Sequence, residues 1–147
     1  MSLAMPQSDP LPAPVRALFG QLRHAAEAGP VPCGPGARLL QGEAGQERHG
    51  TRVRFSLCVR GERLTRVGFR AYGCPYTLAV CEWLAARLEG GGGEPRLAVQ
   101  ALGSPAHWAA ALQVPAERLG RLLVIEDALK AALDSGTSGS PDNGMTK

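Results

Sequence analysis

The 147-residue sequence predicts an α+β fold in which helices pack on one face of a small antiparallel sheet of about three strands. Two neighbouring segments, 53–59 and 67–71, alternate apolar and polar residues, which is typical of strands with one buried face. Segments before and after this pair place apolar residues at helical spacing. Hydrophobic residues make up 44% of the chain, enough for a single core.

The N-terminal part of the chain predicts a flexible lead, one helix and one short strand. Residues 1–14 are rich in proline and polar residues. Residues 15–28 carry apolar side chains at helical spacing, and the Gly29-Pro30 pair would end that helix. Residues 38–41 follow a loop rich in proline and glycine and predict a short strand.

The strongest strand pattern belongs to a hairpin whose turn is formed by Arg60, Gly61 and Glu62. One face of the hairpin is apolar and the other is rich in arginine, so we expect one face to be buried. The apolar face is predicted to contain Val53, Phe55, Leu57, Val59, Val67, Phe69 and Ala71.

A long helix is predicted to begin at Pro75, because the first helical position does not need the N–H that proline lacks. A run of glycines at 90–93 would end it. Its buried stripe is predicted to contain Thr77, Cys81, Leu84 and Leu88.

The C-terminal part of the chain predicts further helices. Residues 96–112 predict one helical stretch or two short ones, and residues 118–133 predict the last helix. Residues 135–147 are polar and rich in glycine and serine, so they predict a disordered tail. The domain is therefore expected to span residues 15–134.

Charge and composition argue against several function classes. The net charge of +3 comes largely from scattered arginines, whereas nucleic-acid binding favours a dense basic stripe with aromatic residues. No apolar run approaches the roughly 20 residues that span a bilayer. The first residues lack the basic and apolar regions of a secretory signal. We therefore expect a cytoplasmic protein with unpaired cysteines, and no nucleic-acid or membrane partner.

The four cysteines are expected to have different roles. Cys74 and Cys81 are seven helical residues apart, about 10 Å, which is too far for a disulfide or for shared ligation of one metal ion. Cys81 lies on the apolar stripe and is expected to pack as a small hydrophobe. Cys58 lies on the arginine face of the hairpin and is expected to have no functional role. Cys33 lies in a loop rich in proline and glycine, where a role as a ligand is an alternative. His24 and His107 are expected to be surface or capping residues.

Cys74 lies at the start of the long helix, where unsatisfied N–H groups and the helix dipole favour a thiolate. The alternative is a small residue that only caps the helix under the sheet. The position by itself leaves both interpretations open.

The hairpin, the Tyr72-Gly73-Cys74 motif opening a helix, and the sequence LVIEDALKAAL in the last helix resemble the IscU / NifU N-terminal family of iron–sulfur cluster assembly scaffolds. The resemblance covers residues 15–134. In that family three cysteines, a histidine and an aspartate surround one cluster site. Cys74 matches the cysteine that opens the family's main helix. The other ligand positions are occupied here by His49, Thr51, Gly120 and Arg121.

The resemblance implies a scaffold-like protein, not an enzyme, that binds iron or an iron–sulfur cluster weakly or across a dimer. Cys74 and His49 are the implied ligands for the metal and the cluster, with zinc as a substitute in purified protein. For His49 the alternative is a surface turn residue. Cysteine desulfurase and chaperone-type assembly proteins are the implied partners, and a homodimer is the implied assembly. Two alternative functions are a SufE-like sulfur acceptor that carries a Cys74 persulfide, and an interaction module that binds no cluster.

Overall fold

The computed structural model describes residues 11–25, 32–91 and 93–138, and it confirms the predicted α+β fold. Its helices and strands are α1 Ala13–Phe19, β1 Ala37–Gln46, β2 Thr51–Arg60, β3 Arg63–Tyr72, α2 Pro75–Gly91, α3 Pro95–Ala101, α4 Pro105–Leu112 and α5 Leu119–Ser138. Single 3-10 turns occur at Glu47–His49 and Ala116–Arg118. No helix in these described ranges is long and apolar enough to cross a membrane.

The three strands form one antiparallel sheet in the order β1-β2-β3. In β2 and β3 the register runs from Arg52 opposite Tyr72 to Arg60 opposite Arg63, which confirms the predicted hairpin. The predicted apolar positions of the hairpin are buried except Ala71, which is partly exposed. Strand β1 covers ten residues instead of the four predicted.

Gly42 explains both the position of α5 and why the sequence underestimates the length of β1. A Cβ on Gly42 would stand 2.5 Å from the carbonyl oxygen of Ala128 and from the carbonyl carbon of Ala131. The backbone of α5 therefore lies directly on β1, and only glycine leaves room for it. Because Gly42 has no side chain at a buried position of β1, it interrupts the alternation of apolar and polar residues by which a strand is predicted.

The core lies between the sheet and helices α2 and α5, which pack against β3 and β1 respectively. The predicted stripe of α2 is fully buried. Helix α5 contributes Leu122, Ile125, Ala128, Leu129 and Ala132, each at most 1% exposed. Helices therefore cover one face of the sheet, as predicted.

The segment after α1 differs from the prediction. Helix α1 ends at Phe19, and the chain then runs beside β3. There the backbone carbonyl of His24 accepts a 2.9 Å hydrogen bond from the backbone N–H of Phe69. The predicted end of this helix, at positions 29 and 30, lies outside the described residues. The backbone pairing with β3 replaces helix formation in residues 20–25.

His24 is not a surface residue, contrary to the prediction. Its ring nitrogens lie 2.5 Å from Oε2 of Glu82 and 2.9 Å from Oε1 of Glu89 on α2. Its backbone N–H also donates to Glu82, which is only 3% exposed. Burial by itself lowers the pKa of His24, but the hydrogen bonds and charges of both carboxylates outweigh burial and raise it. This His24 cluster ties the N-terminal segment to α2.

Helix α5 continues to Ser138, beyond the predicted end at residue 133, and it takes in residues 135–138 of the predicted tail. Ser135 explains part of this extension. Its hydroxyl accepts a hydrogen bond from the backbone N–H of Gln41 and donates one to the carbonyl of Ala132. Contact with the sheet thus prolongs the helix where composition predicts disorder. Residues 139–147 lie outside the described residues.

Cys33 and Cys58 form a disulfide, so the prediction of unpaired cysteines is wrong for this pair. Their Cα atoms are 5.3 Å apart, within the usual range for disulfides. Cys58 does lie on the sheet face opposite the helices, but it is fully buried. Pro32 and Cys33 lie against this face, where Arg66 donates to the Pro32 carbonyl. The sequence separation of 25 residues gave no signal for this pairing.

Candidate functional site

The connection from β1 to β2, the connection from β3 to α2 and the start of α5 meet at one end of the domain. The start of α5 lies there because α5 runs antiparallel to β1. Near the C-terminal end of α5, Ser135 bonds to Gln41, and further back Ala128 lies at Gly42. At Gly45 an added Cβ would stand 2.8 Å from Cγ1 of Val124. The first turns of α5 therefore lie beside the connection from β1 to β2.

Cys74 lies between β3 and α2 and is partly exposed. Its Sγ is 3.6 Å from the hydroxyl oxygen of Thr77, one turn into the helix. Burial by itself raises the pKa of the Cys74 thiol. The backbone N–H and hydroxyl of Thr77, the backbone N–H of Tyr76 and the charge of Arg121 outweigh burial and lower the pKa below the ordinary thiol value. Cys74 is thus a reachable sulfur whose anionic form is favoured.

Arg121 brings a positive charge to this sulfur from the first turn of α5. Its Nε is buried and has no hydrogen-bond partner among the described residues. The neighbouring Arg118 lies over the ring of Tyr76, with 5.7 Å between the guanidinium carbon and the ring centroid. This contact joins the 3-10 turn that precedes α5 to the start of α2. The charge of Arg121 therefore favours an anion at Cys74 and disfavours a metal cation.

His49 ends the 3-10 turn between β1 and β2 and is exposed. Gly50 follows it with a φ of 89°, a left-handed conformation that suits glycine. The His49 ring makes no hydrogen bond or ion pair with the described part of the chain. The two predicted ligands thus lie on adjoining segments, and their joint ligation stays a prediction.

Throughout residues 11–25, 32–91 and 93–138, no group of three or more His, Cys, Asp or Glu side chains could hold a metal ion. An iron–sulfur cluster is held by about four thiolate or imidazole ligands. Of the two free cysteines, Cys81 is fully buried, and burial raises the pKa of its thiol well above the ordinary value. Its predicted packing role is confirmed. The described residues of one chain therefore do not offer the ligand set of a cluster.

Thr51 is a site residue whose importance sequence reasoning missed. It starts β2, is 4% exposed, and its hydroxyl oxygen has no hydrogen-bond partner in the described part of the molecule. The resemblance placed Thr51 at a ligand position, but a threonine there had no evident role. Only the folded structure shows that its hydroxyl is buried and unpaired.

Comparison with known proteins supports the fold. No protein-family model matches the sequence, and no curated protein matches it. Among solved structures, 29 chains match. One is described as an iron–sulfur cluster assembly scaffold protein for the SUF system, from the thermophile Fervidobacterium islandicum AW-1. It superposes with a TM-score of 0.58 at 11% sequence identity, over 84% of this chain and 93% of that chain. The chain thus shares its fold with a protein of the scaffold type.

Proposed function

We propose that this protein acts in iron–sulfur cluster assembly as a sulfur acceptor, with a persulfide carried on Cys74. The observation that supports this role is a partly exposed thiol of lowered pKa beside the charge of Arg121, without a metal-ligand group in the described residues. The fold shared with an assembly scaffold supports the process. In this proposal the protein is a carrier, not an enzyme, and its sulfur donor is a cysteine desulfurase.

The proposed transfer is a thiol exchange without net oxidation. The Cys74 thiolate attacks the outer sulfur of the donor's persulfide. A new S–S bond forms at Cys74, the S–S bond of the donor breaks, and the electron pair leaves on the donor's thiolate. The outer sulfur keeps its proton or loses it to solvent. Arg121 and Thr77 favour the attacking thiolate, so they promote the first step.

The experiment that tests this proposal is intact-mass analysis after incubation with a cysteine desulfurase and cysteine. We expect one added sulfur atom, and peptide mapping should place it on Cys74. The Cys74→Ser variant should gain none. Because Cys33 and Cys58 are paired and Cys81 is buried, the wild-type protein already restricts the reaction to one thiol. Wild-type protein that stays unmodified beside an active desulfurase would contradict the proposal.

A second candidate function is cluster binding across two chains, each contributing Cys74 and His49. The exposed His49 ring on an adjoining segment favours it, together with the scaffold fold. Anaerobic loading with iron and sulfide should then give a coloured dimer, and both Cys74→Ser and His49→Ala should abolish the colour. Colourless wild-type protein after reconstitution would exclude this candidate while leaving the sulfur-acceptor role intact.

A further inference from the structure

Two buried polar atoms lack hydrogen-bond partners among the described residues, and both belong to the end of the domain that carries Cys74. They are the hydroxyl oxygen of Thr51 and Nε of Arg121. Buried polar atoms without a hydrogen-bond partner are rare in folded proteins, so each of them calls for an explanation. Two of them at one end of a small domain point to a ligand that both could bind.

The sheet register brings the start of β2 close to the cysteine. Arg52 lies opposite Tyr72 and Val53 lies opposite Ala71. Thr51 directly precedes Arg52 and Gly73 directly follows Tyr72, so Thr51 lies near the segment that carries Cys74. Thr51 also belongs to the row of β2 that faces the helices, together with the buried Val53.

Arg121 approaches the same point from α5. Arg118, three residues before Arg121, lies over the ring of Tyr76, two residues after Cys74. The charge of Arg121 acts on the Cys74 thiol from this side. One turn later, the Val124 side chain packs at Gly45, where an added Cβ would also collide with the carbonyl oxygen of Thr51. The start of β2 and the start of α5 are therefore in contact. Thr51 and Arg121 therefore lie on two segments that meet near the segment of Cys74.

We propose that the Thr51 hydroxyl and the Nε–H of Arg121 are a pair of donors that binds the outer, anionic sulfur of a persulfide on Cys74. This inference rests on the proposed function and adds two positioning residues to it. The thiolate of the unloaded protein already has its donors in Thr77 and Tyr76. The outer sulfur lies one bond further out and needs donors of its own.

The two donors have different tasks in this arrangement. A hydropersulfide loses its proton more readily than a thiol, and hydrogen bonds to an anion lower its pKa further. Arg121 stabilises both the thiolate and the persulfide anion by its charge. Thr51 is neutral, so its hydrogen bond acts only on the atom it touches. When an acceptor thiolate attacks the outer sulfur, an S–S bond forms between them, the S–S bond to Cys74 breaks, and its electron pair returns to Cys74 as the thiolate. Thr51 is thereby released from its ligand.

The test measures ionisation of the loaded and unloaded protein separately. Inorganic polysulfide is used for loading, so the result does not depend on any protein donor. The near-ultraviolet absorbance of the persulfide anion is titrated with pH, and Cys74→Ser protein treated in the same way supplies the baseline. We expect Thr51→Val to raise the pKa of the persulfide by about one, a tenfold change in its ionisation equilibrium. The pKa of the unloaded thiol should not change.

Thr51→Ser is the matched control, because it keeps the hydroxyl and should titrate like the wild type. Thr51→Val should remain folded, since it replaces an unpaired buried hydroxyl with a methyl group of similar size. Equal persulfide pKa values in Thr51→Val and wild type would overturn the inference, as would failure of polysulfide to load Cys74. If polysulfide loads the site but a desulfurase does not, the proposed function fails while the donor pair can still be measured.

Discussion

Replacing Gly42 with alanine should separate α5 from the sheet. The new Cβ would meet backbone atoms of α5, namely the carbonyl oxygen of Ala128 and the carbonyl carbon of Ala131, each at 2.5 Å, and the backbone nitrogen of Ala132. Backbone atoms of a helix cannot rotate out of the way. The helix itself must therefore shift or the strand must bend.

The size of the effect follows from the required shift. Ordinary contacts of a Cβ begin near 3.4 Å. The helix must then move away by at least about 1 Å, and a gap of that size loses a quarter to a half of the dispersion attraction across it. Overpacking of a core costs about 1–3 kcal/mol, occasionally more. Since the obstacle here is rigid backbone, we expect Gly42→Ala to lower the free energy of unfolding by about 3 kcal/mol or more.

Urea unfolding followed by far-ultraviolet circular dichroism measures this loss, provided that the slope of the transition is unchanged. Gly120→Ala is the control on the same helix. Gly120 has open space around its Cα, so an added methyl group should leave stability unchanged or raise it by up to about 1 kcal/mol. If Gly42→Ala unfolds within experimental error of the wild type, the close contact between α5 and β1 does not exist.

Three further predictions concern the charged cluster, the disulfide and the thiol. The raised pKa of His24 means that its cluster stabilises the folded state fully below the unfolded pKa of about 6.5, and that this contribution is lost as the pH rises through the folded pKa. Unfolding free energies measured between pH 6 and pH 9 should thus decrease more steeply in wild type than in His24→Gln, and parallel curves would contradict the ion-pair cluster. Replacing both Cys33 and Cys58 with serine opens a loop of 25 residues and should cost about 3 kcal/mol in thermal or urea unfolding; a loss below about 1 kcal/mol would mean that the loop is held without the bond. The lowered pKa of Cys74 predicts that its alkylation by iodoacetamide reaches half its maximal rate at a lower pH than for an unfolded cysteine peptide, and that Thr77→Val moves this midpoint upward; identical profiles for protein and peptide would refute the thiolate environment.

Sequence reasoning predicted those elements whose patterns are local. The hairpin followed from alternation of apolar residues, and α2 followed from Pro75 and the stripe that includes Cys81. The place of Cys74 before a helix made a thiolate environment one of two interpretations. Each of these features depends on neighbours within one or two turns of chain.

The features that sequence reasoning missed depend on contacts between distant segments. Strand β1 was underestimated because Gly42 breaks the alternation in order to admit α5. Residues 20–25 looked helical, yet His24 binds α2 and β3 instead. The disulfide joins a loop to a strand without any spacing motif. The unpaired hydroxyl of Thr51 is visible only once β2, β3 and α5 are together.

The disulfide and the reactive thiol stand at opposite ends of the sheet. Cys58 is seven residues along β2 from Thr51, a distance of about 23 Å at the rise of an extended strand. Exchange between a thiolate and a disulfide requires the sulfur atoms to touch. A persulfide on Cys74 therefore cannot exchange with the Cys33–Cys58 disulfide of the same molecule. In the proposed role sulfur is both loaded onto Cys74 and removed from Cys74. The sulfur donor and the sulfur acceptor would therefore have to bind there in turn.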